Sequence, residues 1–196
     1  MLDQLPRMLV LATLSIGMAL ATGCASKPKV LPHHTFWSDL QALCGKAYPG
    51  RVIEDTTDSP TFRGSSLLLG FTGCTDDSVT MPLHVDGRPW ATLVITRDGE
   101  ELTLKHLHES DHAGKDTPSG YGGSTRGTGT ENTQDFYADE FTITLNEDAR
   151  DTVWTIELRA GSILQYAVRR EGSDRRFRAA FDLTRARPAP TVMPRG

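Results

Sequence analysis

Runs in which apolar and polar side chains alternate are the feature that most constrains the fold of this chain of 196 residues. From Lys46 onward the alternation has a period of two, as in a β-strand that buries one face. Turn signals separate the runs, and the pairs Asp86-Gly87 and Asp98-Gly99 are typical of tight hairpins. The predicted strands cover residues 51–55, 66–74, 78–85, 90–96, 101–109, 134–138, 153–158, 162–170 and 176–183.

Eight or nine short strands joined mostly by tight turns predict a single all-β domain over residues 35–184. An antiparallel meander that closes into a small β-barrel fits best, because closure removes the unpaired edges of a sheet. A two-sheet β-sandwich is the alternative. Thr35 can cap a short N-terminal helix that runs from Phe36 toward Cys44 and ends at Gly45.

Three segments lack this alternation. Residues 111–130 are polar, contain six glycines and predict a loop that is either mobile or functional. Residues 139–148 fit either a strand or a short helix. Residues 185–196 are rich in proline and arginine and predict a disordered tail.

The N-terminus predicts a secretory signal peptide over residues 1–23, because an apolar run follows Arg7 and is too short to remain as a spanning anchor. The run ends in LATGC at residues 20–24, which resembles the lipobox of bacterial lipoproteins. The resemblance implies that Cys24 is lipidated and anchors the mature chain to a membrane. Because Ala25 follows, it implies the outer membrane, with the domain facing the periplasm or the cell surface. Ordinary secretion with a free Cys24 is the alternative.

The mature chain would begin with a tether over residues 24–34 and keep two further cysteines, Cys44 and Cys74. An even pair in an oxidising compartment predicts one disulfide, whereas a pair of metal ligands would need closer spacing. The formal net charge of −4 gives no reason to expect a nucleic acid as partner.

The stretch HESDH, His108 to His112, fits the zinc-peptidase signature H-E-x-x-H. On a helix, His108 and His112 would bind zinc and Glu109 would polarise the attacking water. The Asp98-Gly99 hairpin signal instead favours a strand, which weakens the peptidase interpretation. A third zinc ligand would have to come from Glu131, Asp135 or His84.

The strand interpretation places His106 and His108 on one face, together with Leu102 and Leu104. Two imidazoles so placed can share a metal ion, which His112 or His84 could join. Alternatively, the histidines meet solvent or hydrogen-bond to the following loop. Tyr121 in that loop is either a displayed contact residue or a packed one. The candidate binding residues are therefore His106, His108 and Tyr121, and zinc is the one cofactor that these patterns suggest.

Several phrases of the chain resemble a group of uncharacterised bacterial secreted proteins over residues 36–183, namely FWSDLQALCGKAYPGRV, MPLHV, LTLKHLHE, YGG and FRAAFDL. The resemblance implies no activity. The architecture also looks like a lipocalin or another calycin-type barrel, although no G-x-W entry motif is present. We expect a non-enzymatic role in binding a small ligand or an envelope protein, near His106, His108 and the 111–130 loop. A small zinc hydrolase is the enzymatic alternative, and a purely structural envelope lipoprotein is a third possibility.

Overall fold

A computed structural model of the chain describes residues 31–57, 59–108 and 118–189. The strands are β1 (Lys46–Asp55), β2 (Ser66–Gly70), β3 (Gly73–Thr75), β4 (Ser78–Val85), β5 (Arg88–Asp98), β6 (Glu101–Leu107), β7 (Tyr121–Thr125), β8 (Thr133–Ala138), β9 (Thr152–Arg159), β10 (Ile163–Arg170), β11 (Arg176–Asp182) and β12 (Arg187–Pro188). The helices are α1 (Pro32–Gln41), α2 (Glu140–Leu145) and the short 3₁₀ helix Glu147–Ala149. None of the helices in these ranges is long and apolar enough to cross a membrane.

The strands form one antiparallel meander that closes into a barrel. The ring consists of β1, β2 and β4 to β11: each pairs with the next of these ten strands, and β11 pairs back onto β1. As additions to the ring, β3 pairs with β4 and β12 pairs with β1. The predicted all-β barrel is confirmed and the sandwich alternative is wrong. The predicted strand 66–74 is interrupted: β2 and β3 both pair with β4 but are separated by Phe71 and Thr72.

Helix α1 covers one end of the barrel, which we call the closed end. Its side chains Phe36, Trp37 and Leu40 are buried in the core. The Trp37 indole N–H donates to the carbonyl of Asp76 at 3.1 Å, which ties the helix to the β3–β4 turn. A disulfide joins Cys44, just after the helix, to Cys74 in β3, as the sequence predicted. The opposite end, which we call the mouth, is surrounded by the end of β6, the start of β7 and helix α2.

The boundaries of the N-terminal helix and of the C-terminal tail differ from those predicted. The helix begins at Pro32, so the predicted cap at Thr35 is wrong and residues 32–34 do not belong to a tether. Proline suits the first turn because its fixed φ is helical and its missing N–H would have no helical partner there. The disordered tail predicted from residue 185 is also wrong in part, because Arg187 and Pro188 pair with the start of β1.

Strand β7 lies inside the segment that the sequence predicted to be a loop over 111–130. It fits tightly between β6 and β8, where a Cβ on Gly122 would collide with the carbonyl of Leu104 and one on Gly123 with that of Tyr137. The two glycines are therefore required by the close approach of neighbouring backbones. Composition concealed the strand, because the residues that make this approach possible are also typical of loops.

Helix α2 settles the ambiguity over residues 139–148. Asp139 caps the helix by accepting a hydrogen bond from the Thr142 N–H at 2.9 Å. The buried Thr142 hydroxyl donates to the carbonyl of Gly122 at 2.7 Å, and its oxygen accepts from the N–H of Gly122 at 2.6 Å. The helix is thereby held against β7 at the rim of the mouth.

Candidate functional site

The barrel encloses a cavity of about 560 Å³ at its mouth. Aromatic side chains make up much of its wall, and none of the described residues that line it is Asp, Glu, Lys or Arg. The lining residues are Thr57, Ser59, Phe62, Leu83, Trp90, Ala91, Leu93, His106, His108, Pro118, Tyr121, Thr142, Leu145, Asn146, Ala149, Trp154, Tyr166, Val168 and Phe177. The interior is thus filled at the closed end and hollow at the mouth.

Strand β6 leads from the packed core into this cavity. Leu102 and Leu104 face inward and are fully buried, and His106 follows on the same face with 3% exposure. His108 continues the series and lines the cavity. The strand interpretation is confirmed over Glu101–Leu107, and the helical alternative is wrong for these residues. Glu109 and His112 of the peptidase signature lie outside the described residues.

His106 is held by hydrogen bonds at both ring nitrogens. Its Nε2 lies 2.8 Å from the Tyr166 hydroxyl, and its Nδ1 lies 3.3 Å from the carbonyl oxygen of Tyr121. The ring stacks on that of Tyr121, with centroids 4.7 Å apart and planes 7° apart. Burial lowers the pKa of His106 to about 3, so the ring is neutral at physiological pH.

His108 and Tyr121 form a second polar pair, nearer the rim. The His108 Nε2 lies 3.2 Å from the Tyr121 hydroxyl. Burial lowers the pKa of His108 against an opposing effect of the Trp90 backbone, and burial raises the pKa of Tyr121 to about 12. Tyr121 belongs to β7 and stacks on both histidines. Its side chain is therefore packed rather than displayed. The structure brings together the three predicted binding residues, His106, His108 and Tyr121.

The other aromatic residues of the cavity wall were not among the predicted binding residues. Trp90 lies at a β-bulge: Leu83 pairs with Ala91 and His84 with Pro89, which leaves Trp90 as an extra residue. The bulge lets both Trp90 and Ala91 line the cavity, although strict alternation would separate them. Trp154, Tyr166 and Phe177 could have been found as inward positions of three predicted strands.

The predicted metal ligands do not converge among the described residues. No group of three His, Cys, Asp or Glu side chains in ranges 31–57, 59–108 and 118–189 could hold a metal ion. His84 lies on the outward face of β4, so it cannot join His106 inside the barrel. Asp135 is engaged by Arg169 at 2.9 Å, on the outer surface. A site made by His106, His108 and His112 stays a prediction, and it would have to replace the His106–Tyr166 hydrogen bond.

Burial shifts the pKa values of several ionisable groups in the cavity. Its imidazole at His106 is neutral and both nearby phenols have raised pKa values, so none of the three readily exchanges a proton near neutrality. No protein-family model matches the chain, and no curated protein matches it. The geometry of the mouth is therefore the main basis for assigning a role.

Proposed function

We propose that this protein is an outer-membrane lipoprotein whose barrel binds a small, mostly apolar molecule at its mouth. The observation that carries the proposal is the cavity of about 560 Å³, walled by aromatic rings and bounded below by a packed core. Ligand sites in proteins commonly have volumes of roughly 300–1,000 Å³ and apolar walls with a few polar groups. Barrel mouths are recurrent places for such sites.

The cellular location rests on the N-terminal sequence. LATGC at residues 20–24 supports lipidation at Cys24, and the Cys44–Cys74 disulfide suits an oxidising compartment. An anchored barrel could hold its ligand at the membrane surface or pass it to an envelope partner. Replacing Cys24 by Ala should abolish incorporation of a palmitate analogue and release the protein from the membrane fraction. Unchanged labelling of the Cys24→Ala protein would contradict lipidation at this residue.

Binding can be tested with the neutral fluorescent probe N-phenylnaphthylamine. The chain has three tryptophans: Trp90 and Trp154 line the cavity, whereas Trp37 is buried at the closed end. A probe in the cavity should quench tryptophan emission by energy transfer and brighten as it leaves water. We expect saturable binding at one site per chain.

Tryptophan variants locate the bound probe. Trp90→Phe and Trp154→Phe should each reduce the fraction of emission that the probe quenches, because these rings are in the wall of the cavity. Trp37→Phe is the matched control. Trp37 lies at the closed end, so its replacement should leave the quenching of Trp90 and Trp154 emission in place. Non-saturable partitioning of the probe, in place of binding at one site per chain, would count against the proposed function.

A further inference from the structure

We infer that the cavity selects a neutral molecule with a flat apolar body that donates a hydrogen bond to the hydroxyl oxygen of Tyr166. The inference rests on the proposed function and specifies the ligand chemistry of the same cavity. It follows from the directions of the hydrogen bonds around His106 and from the absence of charged side chains among the described lining residues.

The tautomer of His106 is fixed by the backbone of β7. Its Nδ1 faces the carbonyl oxygen of Tyr121, which can only accept, so Nδ1 carries the proton and donates it. The opposite tautomer would place a lone pair against that carbonyl. In the neutral ring Nε2 is then an acceptor, which fixes the role of its partner, Tyr166.

Tyr166 must therefore donate its hydroxyl proton to Nε2 of His106, 2.8 Å away. A phenol that donates its single proton can still accept through its oxygen lone pairs. Because Tyr166 and His106 both line the cavity, we place the ligand's donor group at this oxygen. A ligand group that can only accept, such as an ether oxygen, finds no proton there.

The surroundings of this pair disfavour an ionic ligand. The described lining contains no Asp, Glu, Lys or Arg to pair with an ion, and burial keeps His106 uncharged. Transfer of an unpaired ion from water into such a site is strongly unfavourable, whereas a neutral hydroxyl or amine loses little if it finds its acceptor. The cavity therefore discriminates against both carboxylates and ammonium groups.

Rings on several strands lie around the His106–Tyr166 pair and favour a flat apolar body. The Tyr166 ring lies edge-to-face with Phe177 at 6.4 Å, and the His106 ring lies 5.4 Å from Trp154. Tyr121 stacks on His106, and its ring centroid lies 6.1 Å from that of Trp154. Aromatic walls of this kind hold planar ligands by offset-stacked and edge contacts.

The test compares naphthalene, naphthol, methoxynaphthalene and naphthoate by calorimetric titration of the purified protein. Naphthol should bind about three- to tenfold more tightly than methoxynaphthalene, which is the range expected for one neutral hydrogen bond. Naphthoate should bind more weakly than naphthalene. Naphthalene binding without a preference for naphthol, or tightest binding of naphthoate, would overturn the inference and leave the proposed function standing. Failure of every probe to bind, naphthalene included, would overturn both.

Two further measurements link the preference to the His106–Tyr166 pair. Long-range proton–nitrogen spectra of isotope-labelled histidine should show His106 as the neutral Nδ1–H tautomer, and an Nε2–H tautomer would overturn the inference because Tyr166 would then present a donor. The double variant His106→Leu with Tyr166→Phe should lose the preference for naphthol over methoxynaphthalene. Tyr48→Phe is the matched control, since it removes the hydroxyl of a buried tyrosine at the closed end and should keep the preference.

Discussion

The closed end and the mouth share the same ten strands but differ in how the space between those strands is filled. At the closed end, helix α1 inserts Phe36 and Leu40, both fully buried, among the inward side chains of the strands. At the mouth no such insertion is seen among the described residues, and a cavity of about 560 Å³ remains. Eight strands already make a barrel that side chains just fill, so ten strands leave extra interior.

The two ends of the barrel divide stability and the proposed binding between them. Helix α1 and the disulfide lie together at the closed end, so the packed half can stabilise a barrel whose other half stays hollow. The mouth can then hold a polar side chain such as His106 on the inward face of a strand, beside space that core side chains do not fill. Substitutions at the two ends should therefore have different consequences.

The largest expected effect is at the packed end. Phe36→Ala should lower the free energy of unfolding by about 3–5 kcal/mol, because the vacated space lies in a core that cannot collapse. Phe177→Ala at the mouth should lower the free energy of unfolding clearly less, since Phe177 is only partly buried and borders an existing cavity. Urea unfolding of both proteins, followed by circular dichroism, measures the difference. Equal losses would show that the mouth is packed as tightly as the closed end.

The disulfide should have the next largest effect. Replacing Cys44 and Cys74 together by Ala should lower the free energy of unfolding by about 3–4 kcal/mol, from the entropy that the unfolded chain gains when a loop of 30 residues opens. Binding of N-phenylnaphthylamine to the folded double variant should be unchanged, because the disulfide lies at the closed end. Guanidinium unfolding and a probe titration measure the two quantities. A large loss of affinity in the folded variant would argue against the separation of the two ends.

The contrast also explains what the sequence could and could not predict. The barrel, the disulfide and the inward face of β6 follow from alternation, hairpin signals and cysteine count, which are local properties. Strand β7 could not be predicted, because Gly122 and Gly123 are required by contacts with β6 and β8 that exist only in the folded sheet. The early start of α1 at Pro32 has a local signal, because proline suits the first turn of a helix, but Thr35 is also a typical cap and competes with it.

The candidate site was predicted in part. His106, His108 and Tyr121 were singled out as residues, and the structure groups them. The sequence did not suggest the hydrogen bond between His106 and Tyr166, since 60 residues separate them. Trp90 was not predicted for another reason. Strict alternation predicts that its side chain points outward, whereas the β-bulge lets it line the cavity. The cavity itself depends on the number of strands and on the volume of their side chains taken together.

Acidification should destabilise the mouth through His106. The ring has a pKa of 6.5 when unfolded and about 3 when folded, so the unfolded state binds more protons within this window and stability falls as the pH falls. The loss between about pH 7 and about pH 5 should be about 2 kcal/mol. The rings of Tyr121, Trp154 and Tyr166 around His106 are uncharged in this range. The neighbouring His108 has a pKa that burial lowers.

The variant His106→Gln isolates this contribution, because glutamine does not titrate and can still hydrogen-bond to Tyr166. Its stability should depend less on pH over the same interval, although His108 and His84, whose pKa values are also lowered by burial, leave a smaller slope. Urea midpoints at several pH values provide the measurement. An identical slope in both proteins would mean that His106 is not held neutral by burial.

Filling the cavity should affect binding more than folding. Ala91→Phe adds a ring within the cavity wall and should weaken N-phenylnaphthylamine binding by about tenfold, equivalent to about 1.4 kcal/mol, because the ring occupies ligand space. Thr92→Phe is the matched control, since the adjacent residue faces outward on the same strand. It should bind the probe as the unmodified protein does. If both variants bind normally, the probe site is elsewhere.

The smallest expected effect concerns the attachment of α2 to the rim. Asp139 both caps this helix and forms an ion pair with Lys105, with about a quarter of its side chain exposed. Asp139→Asn keeps the capping oxygen but removes the charge, so it should lower the free energy of unfolding by about 0.5 kcal/mol or less. Asp139→Ala removes both interactions and should lower the free energy of unfolding by about 1 kcal/mol.

The pair of variants shows whether the cap or the charge holds the helix over the mouth. Hydrogen exchange at the N–H of Thr142 reports on the cap directly, because this group donates to the Asp139 carboxylate. Exchange should quicken strongly in Asp139→Ala and slightly in Asp139→Asn. Equal acceleration in the two variants would mean that the charge of Asp139, through Lys105, positions the rim of the cavity more than the helix cap does.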